Sequence, residues 1–464
     1  MTKLNRNAYG PSTMSQSNEI SDELLRIYYK KLFPCELFSK WLTYGSNDLV
    51  RREFSFTLAG DVYIRYQSFE TAAELRRELV KSCPHKIDIG AVYCTAPKKH
   101  RSILPSSFKP EWKELVFDID LTDYDEVRFC CGAQNPGSSS AVCRRCWLLA
   151  QSAVMCIDRA LREDFGFEHL LWVYSGRRGV HCWVCDSAAR KLDPVARAAI
   201  VDYLTLVRAG GGTKPSLTAG KQSARLAEPG VEPMFHPCVD AASNILLPRF
   251  GTYCSTLDGQ DLFGVPDRLE KLLSFLPSDL DNIRGSLAQD WLENPSKDDG
   301  GEVSVRRWNT LRTFLSEGGR TNVARELVLN YTYPRLDVNV STGLNHLLKS
   351  PFCVHPKTGF VCVPFDPASV SSFDPLSAPT LSQVIEQSGS RKEDELTEET
   401  GVTSSAVQKH LLAYKKTSLR PAIEYFESFI DRLCSSQSEA MDTSNSVRVN
   451  DSGLKNGPLS VPVF

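Results

Sequence analysis

Phe117, Ile119 and Leu121 alternate with Asp118 and Asp120 across residues 114–123, and no other stretch constrains this chain so tightly. Alternation with period two marks a β-strand, and side chains two apart on a strand share a face. The apolar residues therefore point into a core while both carboxylates point the other way. Two carboxylates held side by side repel each other unless a cation lies between them. A half-buried strand with a solvated edge satisfies the pattern. So does a seat for a pair of divalent ions, the apparatus of in-line phosphoryl transfer.

The rest of the chain is organised around that strand. Residues 22–34 open on an acidic cap and close at Pro34, the start and stop of an amphipathic helix. Residues 52–58 and 61–67 alternate on either side of Ala59 and Gly60, which predicts a hairpin. A helix is expected over 69–81, strands over 86–93, 170–174 and 180–185, and an apolar helix over 147–165. Asp193 and Pro194 read as a helix start with Pro at the first helical position. Helices and loops then continue to about residue 294, including 266–275 and 279–292. Alternation returns over 333–340, where a strand would set Leu336, Val338 and Val340 on one face and Asp337 and Asn339 on the other. A last strand pair is expected over 360–365, an acidic solvated run over 391–399, and a helix broken near Pro421 within 406–433.

These elements predict an α+β fold: a disordered lead-in (1–20), a mixed core in two parts (21–192 and 301–380) and a helical insertion between them (193–300). An acidic linker with a C-terminal helix (381–434) and a polar, disordered tail (435–464) complete it. The first 18 residues lack the apolar centre of a secretory signal, and no run of about 18 apolar residues suits a membrane span. The net charge of −2 argues against a general affinity for nucleic acid, so any such contact must use a local groove or a partner's surface.

Of the 15 cysteines, four form the pattern Cys-Cys-x11-Cys-x2-Cys: Cys130, Cys131, Cys143 and Cys146. Without a secretion signal, a tight cluster among scattered apolar thiols predicts a metal site in a reducing compartment, cytosol or nucleus. Four thiolates match tetrahedral Zn²⁺ with no open position, a structural site. Cys182 and Cys185 share the x2 spacing but sit on a strand, where residues three apart face opposite ways, and are rejected as a chelate.

Asp337 supplies a third carboxylate; with Asp118 and Asp120 it could hold two divalent ions about 3.5–4 Å apart. A strand-face acid beside Arg335 is the bland alternative. Ser175, Gly176, Arg177, Arg178, Gly179, Val180 and His181 form a tight turn bearing two guanidinium groups and an imidazole. Glycine permits close backbone approach to an anion, and Arg matches phosphate oxygens in bidentate geometry; a solvated turn with surface arginines is the ordinary alternative. His181 shares a strand face with Trp183, which would wall in its ring. His346, Lys349 and His355 surround a stretch that reads either as a helix end stopped by Pro351 or as a point charge near a triphosphate, and nothing local decides between them.

Taken in order, residues 117–120, 175–181, 333–337 and 346–352, with 86–90 in support, closely resemble the archaeo-eukaryotic primase family, in particular the catalytic small subunits of eukaryotic primases. The resemblance covers roughly residues 22–364. It implies a mixed α/β catalytic core with a largely helical subdomain. Asp118, Asp120 and Asp337 would be ligands of two Mg²⁺ or Mn²⁺ ions. Arg177, Arg178 and His181 would contact the triphosphate with Ser175 nearby, and Lys349 and His355 the nucleotide from the far side. Arg65, Lys86 and Asp88 would line the nucleotide site, Asp88 near the ribose hydroxyls. Cys130, Cys131, Cys143 and Cys146 would hold one structural zinc. The implied activity is synthesis of short RNA primers from ribonucleoside triphosphates on single-stranded DNA. Implied partners are the large primase subunit and the catalytic and accessory subunits of DNA polymerase α, in the nucleus. The carboxylates alone would also suit a two-metal nuclease. A primase-polymerase that prefers deoxynucleotides, or a zinc-containing scaffold subunit, would suit the same residues.

Overall fold

The computed structural model describes residues 20–131, 142–206, 235–293, 302–389 and 413–451. The lead-in before Ile20, the Gly/Ser-rich stretch between Cys131 and Cys143, the acidic run at 391–399 and the last residues of the tail lie outside them.

Two antiparallel sheets carry the molecule, and helices surround them: the class is α+β. The first has strands in the order β2 (Tyr63–Gln67), β1 (Arg52–Thr57), β3 (Lys86–Tyr93) and β4 (Pro110–Trp112), and short β8 (Leu348–Lys349) also pairs with β3. The second is ordered β5 (Leu115–Asp120), β7 (Gly179–Val184), β6 (Leu170–Tyr174) and β9 (Pro364–Phe365). The hairpin expected around Ala59 and Gly60 forms; β1 lies against β2 with Phe56 opposite Ile64. Alternation on β5 works as read, with Phe117 and Ile119 fully buried and Asp118 and Asp120 partly exposed.

A buried ion pair fastens one sheet to the other. Arg52 on β1 donates through Nη1 to Glu114 Oε2 at 2.8 Å and through Nη2 to Oε1 at 2.9 Å, and both side chains are fully buried. The Tyr44 hydroxyl donates to the same carboxylate at 2.7 Å. Burial alone would raise the Glu114 pKa; Arg52 and Tyr44 outweigh it and hold the carboxyl below its usual range.

Three expectations need correction. Residues 333–340 are not a strand. Asp337 caps a short helix, Val338–Thr342, its carboxylate accepting from Asn339 N at 3.0 Å, and Val338 is turned out to solvent while Leu336 and Val340 are buried. An aspartate that bonds its own backbone two residues on favours a cap over a ladder. Within 360–365 only Pro364–Phe365 forms a strand; Val354 with Val361 and Phe360 with Thr380 make isolated bridges. The C-terminal helix is not broken at Pro421 but begins there, spanning Arg420–Asp451, because proline's missing N–H costs nothing in a first turn. Its Ile423, Phe426, Ile430 and Leu433 are buried, with Phe426 5.7 Å from the Trp41 ring and 5.3 Å from Phe352.

Smaller shifts concern boundaries. The helix expected over 69–81 runs Ala72–Ser82, capped by Thr71. The apolar helix runs Arg144–Arg159 and ends in a π-turn, Ala160–Asp164. Asp193 caps Pro194–Leu204 as read. Beyond it, Pro237–Leu246 and Phe250–Cys254 pack against Thr321–Thr332 and Val303–Glu317, two helices that the sequence reading did not mark.

Candidate active site and metal centre

The pairing of β5 with β7 sets Asp118 opposite His181 and Asp120 opposite Gly179, so the two carboxylates and the arginine turn share one end of the second sheet. Asp337 comes to the same place without a ladder of its own: its backbone N–H donates to Asp118 O at 3.2 Å. Burial raises the Asp118 carboxyl, Asp120 pushes it further, Lys349 opposes, and Asp337 and Asp123 add to the rise, leaving it at about 7. Asp123 is raised to about 6, by burial first and then by Asp120 and Asp337.

Asp123 is thus a fourth acid of the cluster, and it went unmarked because the strand ends at Asp120. Asp120 caps a 3₁₀ turn, Leu121–Tyr124, through bonds from Thr122 N and Oγ1, both 2.8 Å. That turn brings Asp123 back toward the other acids. The spacing Asp-x-Asp-x-x-Asp was the available signal. The carboxylates do not close into a cage: Asp120 is engaged by Arg178 Nε at 2.9 Å as well as by Thr122, and Asp337 by Asn339. Like charges without a cation are expected to turn away from one another in this manner.

The imidazole of His181 lies beside the acids, Nε2 3.6 Å from Asp118 Oδ1. Burial, then Lys349, lowers its pKa to about 3, so the ring is neutral and the contact is no ion pair. Its Nδ1 is buried without a hydrogen-bond partner among the described residues.

Tight geometry builds the arginine turn. Ser175 N donates to Gly179 O at 2.9 Å, and Gly179 N to Ser175 Oγ at 3.1 Å. Gly176 has φ of +80°, and a Cβ on Gly179 would stand 2.1 Å from Ile119 O, so both positions require glycine. Arg178 is held by Asp120. Arg177 makes no ion pair through its guanidinium among the described residues, and burial followed by Arg178 lowers its pKa.

Across the turn, Lys349 Nζ donates to Ser175 O at 3.0 Å. His355 is lowered to about 2, by burial first, then by Lys349, Arg177, Arg178 and Lys357. A ring buried among four cations is neutral near pH 7. Arg177, Arg178, Lys349 and Lys357 make this side of the site positive, with Arg178 paired to Asp120.

The first sheet adds a second wall. Asp88 pairs with Lys349 across β3 and β8; it accepts from Ser55 Oγ at 3.2 Å and lies 3.0 Å from Lys86 Nζ. Arg65 is bidentate on buried Glu53, at 2.9 and 3.2 Å, and also donates to Asn345 O at 3.3 Å. Its charge is therefore already matched by a partner that the sequence reading missed. The His346 ring joins no such contact among the described residues; its carbonyl accepts from buried Lys113.

Separately, Cys130, Cys131, Cys143 and Cys146 bring their sulfurs within 4.8 Å of one another. This is the only group among the described residues gathered so closely for a metal. All four thiols are free, and Cys143 N donates to Cys146 Sγ at 3.3 Å at the start of helix Arg144–Arg159. A tetrahedral ion with bonds of about 2.3 Å places sulfurs roughly 3.8 Å apart, so the donor set fits one metal ion. Cys182 and Cys185 take no part; Cys185 Sγ accepts from Trp41 Nε1 at 3.3 Å.

A family model described as the DNA primase small subunit matches residues 117–367. The DNA primase small subunit of Drosophila melanogaster is 41% identical over 441 residues, covering 91% of this chain and 93% of the relative. The chain belongs to the DNA primase small-subunit family. That of Schizosaccharomyces pombe is 37% identical over 446 residues, covering 92% and 93%. The DNA primase small subunit PriS of Thermococcus kodakarensis is 24% identical over 363 residues, covering 77% and 91%. Within this primase family member, the matched segment holds the three aspartates, the arginine turn, Lys349, His355 and the four thiols, while Arg65, Lys86 and Asp88 precede it. No helix among the described residues is long and apolar enough to cross a membrane.

Proposed function

We propose that this chain is the catalytic small subunit of a eukaryotic DNA primase, building short RNA primers from ribonucleoside triphosphates on single-stranded DNA by two-metal nucleotidyl transfer. The observation that carries the reading is a four-acid cluster facing Arg177, Arg178, Lys349 and two neutral imidazoles in a member of that family. Asp118 and Asp123, raised by burial first and then by neighbouring carboxylates, fit a site completed by cations. Mg²⁺ or Mn²⁺ ions held by Asp118, Asp120 and Asp337 would supply the charge that activates a 3′-hydroxyl and steadies departing pyrophosphate. The protein's own groups bind and orient. Arg177, unpaired among the described residues, and Arg178 offer planar donors to phosphate oxygens; Lys349 adds a point charge; neutral His181 can donate a hydrogen bond without adding charge. Arg65, Lys86 and Asp88 wall the sugar side. This division suits phosphoryl transfer, where catalysis is mostly position and electrostatics.

Cys130, Cys131, Cys143 and Cys146 are the ligands of one structural Zn²⁺ in this reading, and the helices between residues 193 and 300 form a helical subdomain. The large primase subunit, the polymerase α catalytic and accessory subunits and single-stranded template are its partners, and the nucleus its compartment. A near-neutral small subunit borrows template affinity from such a complex.

The test is incorporation of radiolabelled NTP on poly-pyrimidine DNA, with and without the large subunit. Incorporation that needs Mg²⁺ or Mn²⁺ and prefers ribonucleotides over competing deoxynucleotides is expected; its absence in both arms refutes the reading. Elemental analysis should find about one zinc per chain, lost from Cys143→Ser; full metal content in that variant counts against the ligand set.

A pH dependence follows from Asp118. Its folded pKa of about 7 lies above the unfolded value near 3.9, so the native state keeps a proton that the unfolded chain has released. Metal-free stability therefore falls as pH rises from about 4 to about 7, while ion binding requires ionised carboxylates. Added Mn²⁺ should raise the melting temperature more at pH 8 than at pH 5.5 in scanning fluorimetry. Equal gains at both would argue against binding at Asp118.

A further inference from the structure

The four-thiol centre is held from outside by one side chain of the helical region. Gln260 is only 2% exposed, and both ends of its amide are used. Oε1 accepts from Phe129 N at 2.7 Å, and Nε2 donates to Cys130 Sγ at 3.5 Å. The orientation of the amide is not free. A backbone N–H can only donate, so the oxygen must face Phe129, which leaves the NH₂ group for the sulfur.

The backbone of Gln260 is fixed as well. Its N–H donates to Tyr253 O at 2.7 Å and its carbonyl accepts from Arg268 Nη1 at 2.8 Å. A Cβ on the preceding Gly259 would fall 2.2 Å from Tyr253 O, so the turn admits glycine alone there. Neighbours of Gln260 grip the same strip of chain. Tyr253 donates through its hydroxyl to Val127 O, Lys271 Nζ to Glu126 O at 2.7 Å, and the Arg268 guanidinium lies 4.9 Å from the centre of the Phe129 ring. At its other end the strip is tied to the acids: Arg335, two residues before Asp337, donates to Asp123 O at 2.7 Å and pairs with Glu126 at 2.7 Å.

We propose that Gln260 is a positioning residue for the metal centre, aiming the Cys130 thiolate through its N–H···S bond and joining the centre to the helices that follow Phe235. Thiolates bound to a metal remain electron-rich and accept N–H bonds, and partners that orient ligands in this way tune affinity. The proposal rests on the reading that a metal ion is held by these four thiols.

The test uses the full-length chain and two variants, Gln260→Glu and Gln260→Leu, with zinc affinity measured by competition against a chromophoric chelator. Gln260→Glu keeps the shape and the acceptor for Phe129 N but sets an oxygen against the sulfur in place of a donor. It should weaken zinc binding about 10–100-fold while circular dichroism stays unchanged. In Co²⁺-loaded protein the sulfur-to-cobalt charge-transfer band should shift in Gln260→Glu, a change that loosened packing alone would not give. Gln260→Leu should weaken binding further or fail to fold; either result agrees with a residue clamping both Phe129 and Cys130. Wild-type affinity and an unshifted band in a folded Gln260→Glu overturn the proposal. A wild-type chain that binds neither Zn²⁺ nor Co²⁺ overturns the metal reading, and this proposal with it.

Discussion

Asp118→Asn should lower ribonucleotide incorporation by roughly a thousandfold or more, because losing one ionic ligand forfeits several kcal/mol of charge stabilisation at about 1.4 kcal/mol per factor of ten. The same change should leave the metal-free protein as stable as before, or more so. Asp118 is pushed up to about 7 by burial and by Asp120, Asp337 and Asp123, so a neutral amide of the same shape relieves a repulsion. A structural acid would behave in the opposite way, losing stability and activity together. Incorporation assays and thermal melts without added metal separate the two, and a variant working at the wild-type rate would remove Asp118 from the chemistry.

Arg52→Met should destabilise the fold by about 3–5 kcal/mol, the usual result of stripping a buried carboxylate of its partner. Glu114 would keep the Tyr44 hydroxyl and its own backbone N–H but lose its countercharge, and burial would then drive its pKa up rather than down. Because the pair joins β1 to the segment entering β5, the loss is expected to loosen one sheet from the other. Paired replacement of Arg52 by Met and Glu114 by Leu should recover much of the stability, since no charge then remains buried. Chemical denaturation of the two variants beside the wild type gives the comparison; a single variant as stable as the double one would show that the pair is not needed.

The parts of the site legible in the sequence were those with a short period or a tight turn. Alternation around Asp118 and Asp120 predicts β5, and Gly176 and Gly179 predict the turn carrying Arg177 and Arg178, because both signals are local. Asp337 was marked for the right place in space through the wrong element: Leu336, Val338 and Val340 mimic a strand, and only the Asp337 cap, accepting from Asn339 N, shows why the chain turns into a helix. Asp123 escaped notice because a 3₁₀ turn has no hydrophobic period. Glu53 beneath Arg65 and Gln260 beside Cys130 were out of reach for a different reason. Each contact joins residues distant in the chain, across 12 and 130 positions, and nothing local in their neighbourhoods announces a partner. Helices Val303–Glu317 and Thr321–Thr332 were missed although they bury Trp308, Leu311, Leu327 and Val328, because their polar faces blur the period.

The central claim is that Asp118, Asp120 and Asp337 together seat two divalent ions beside a triphosphate. Anomalous diffraction from crystals grown with Mn²⁺ and a non-hydrolysable ribonucleoside triphosphate tests it most directly. Two manganese peaks about 3.5–4 Å apart, bridging those three carboxylates with the triphosphate against Arg177, Arg178 and Lys349, are predicted. Nucleotide bound elsewhere, or manganese absent from the acids while nucleotide is present, would contradict the account.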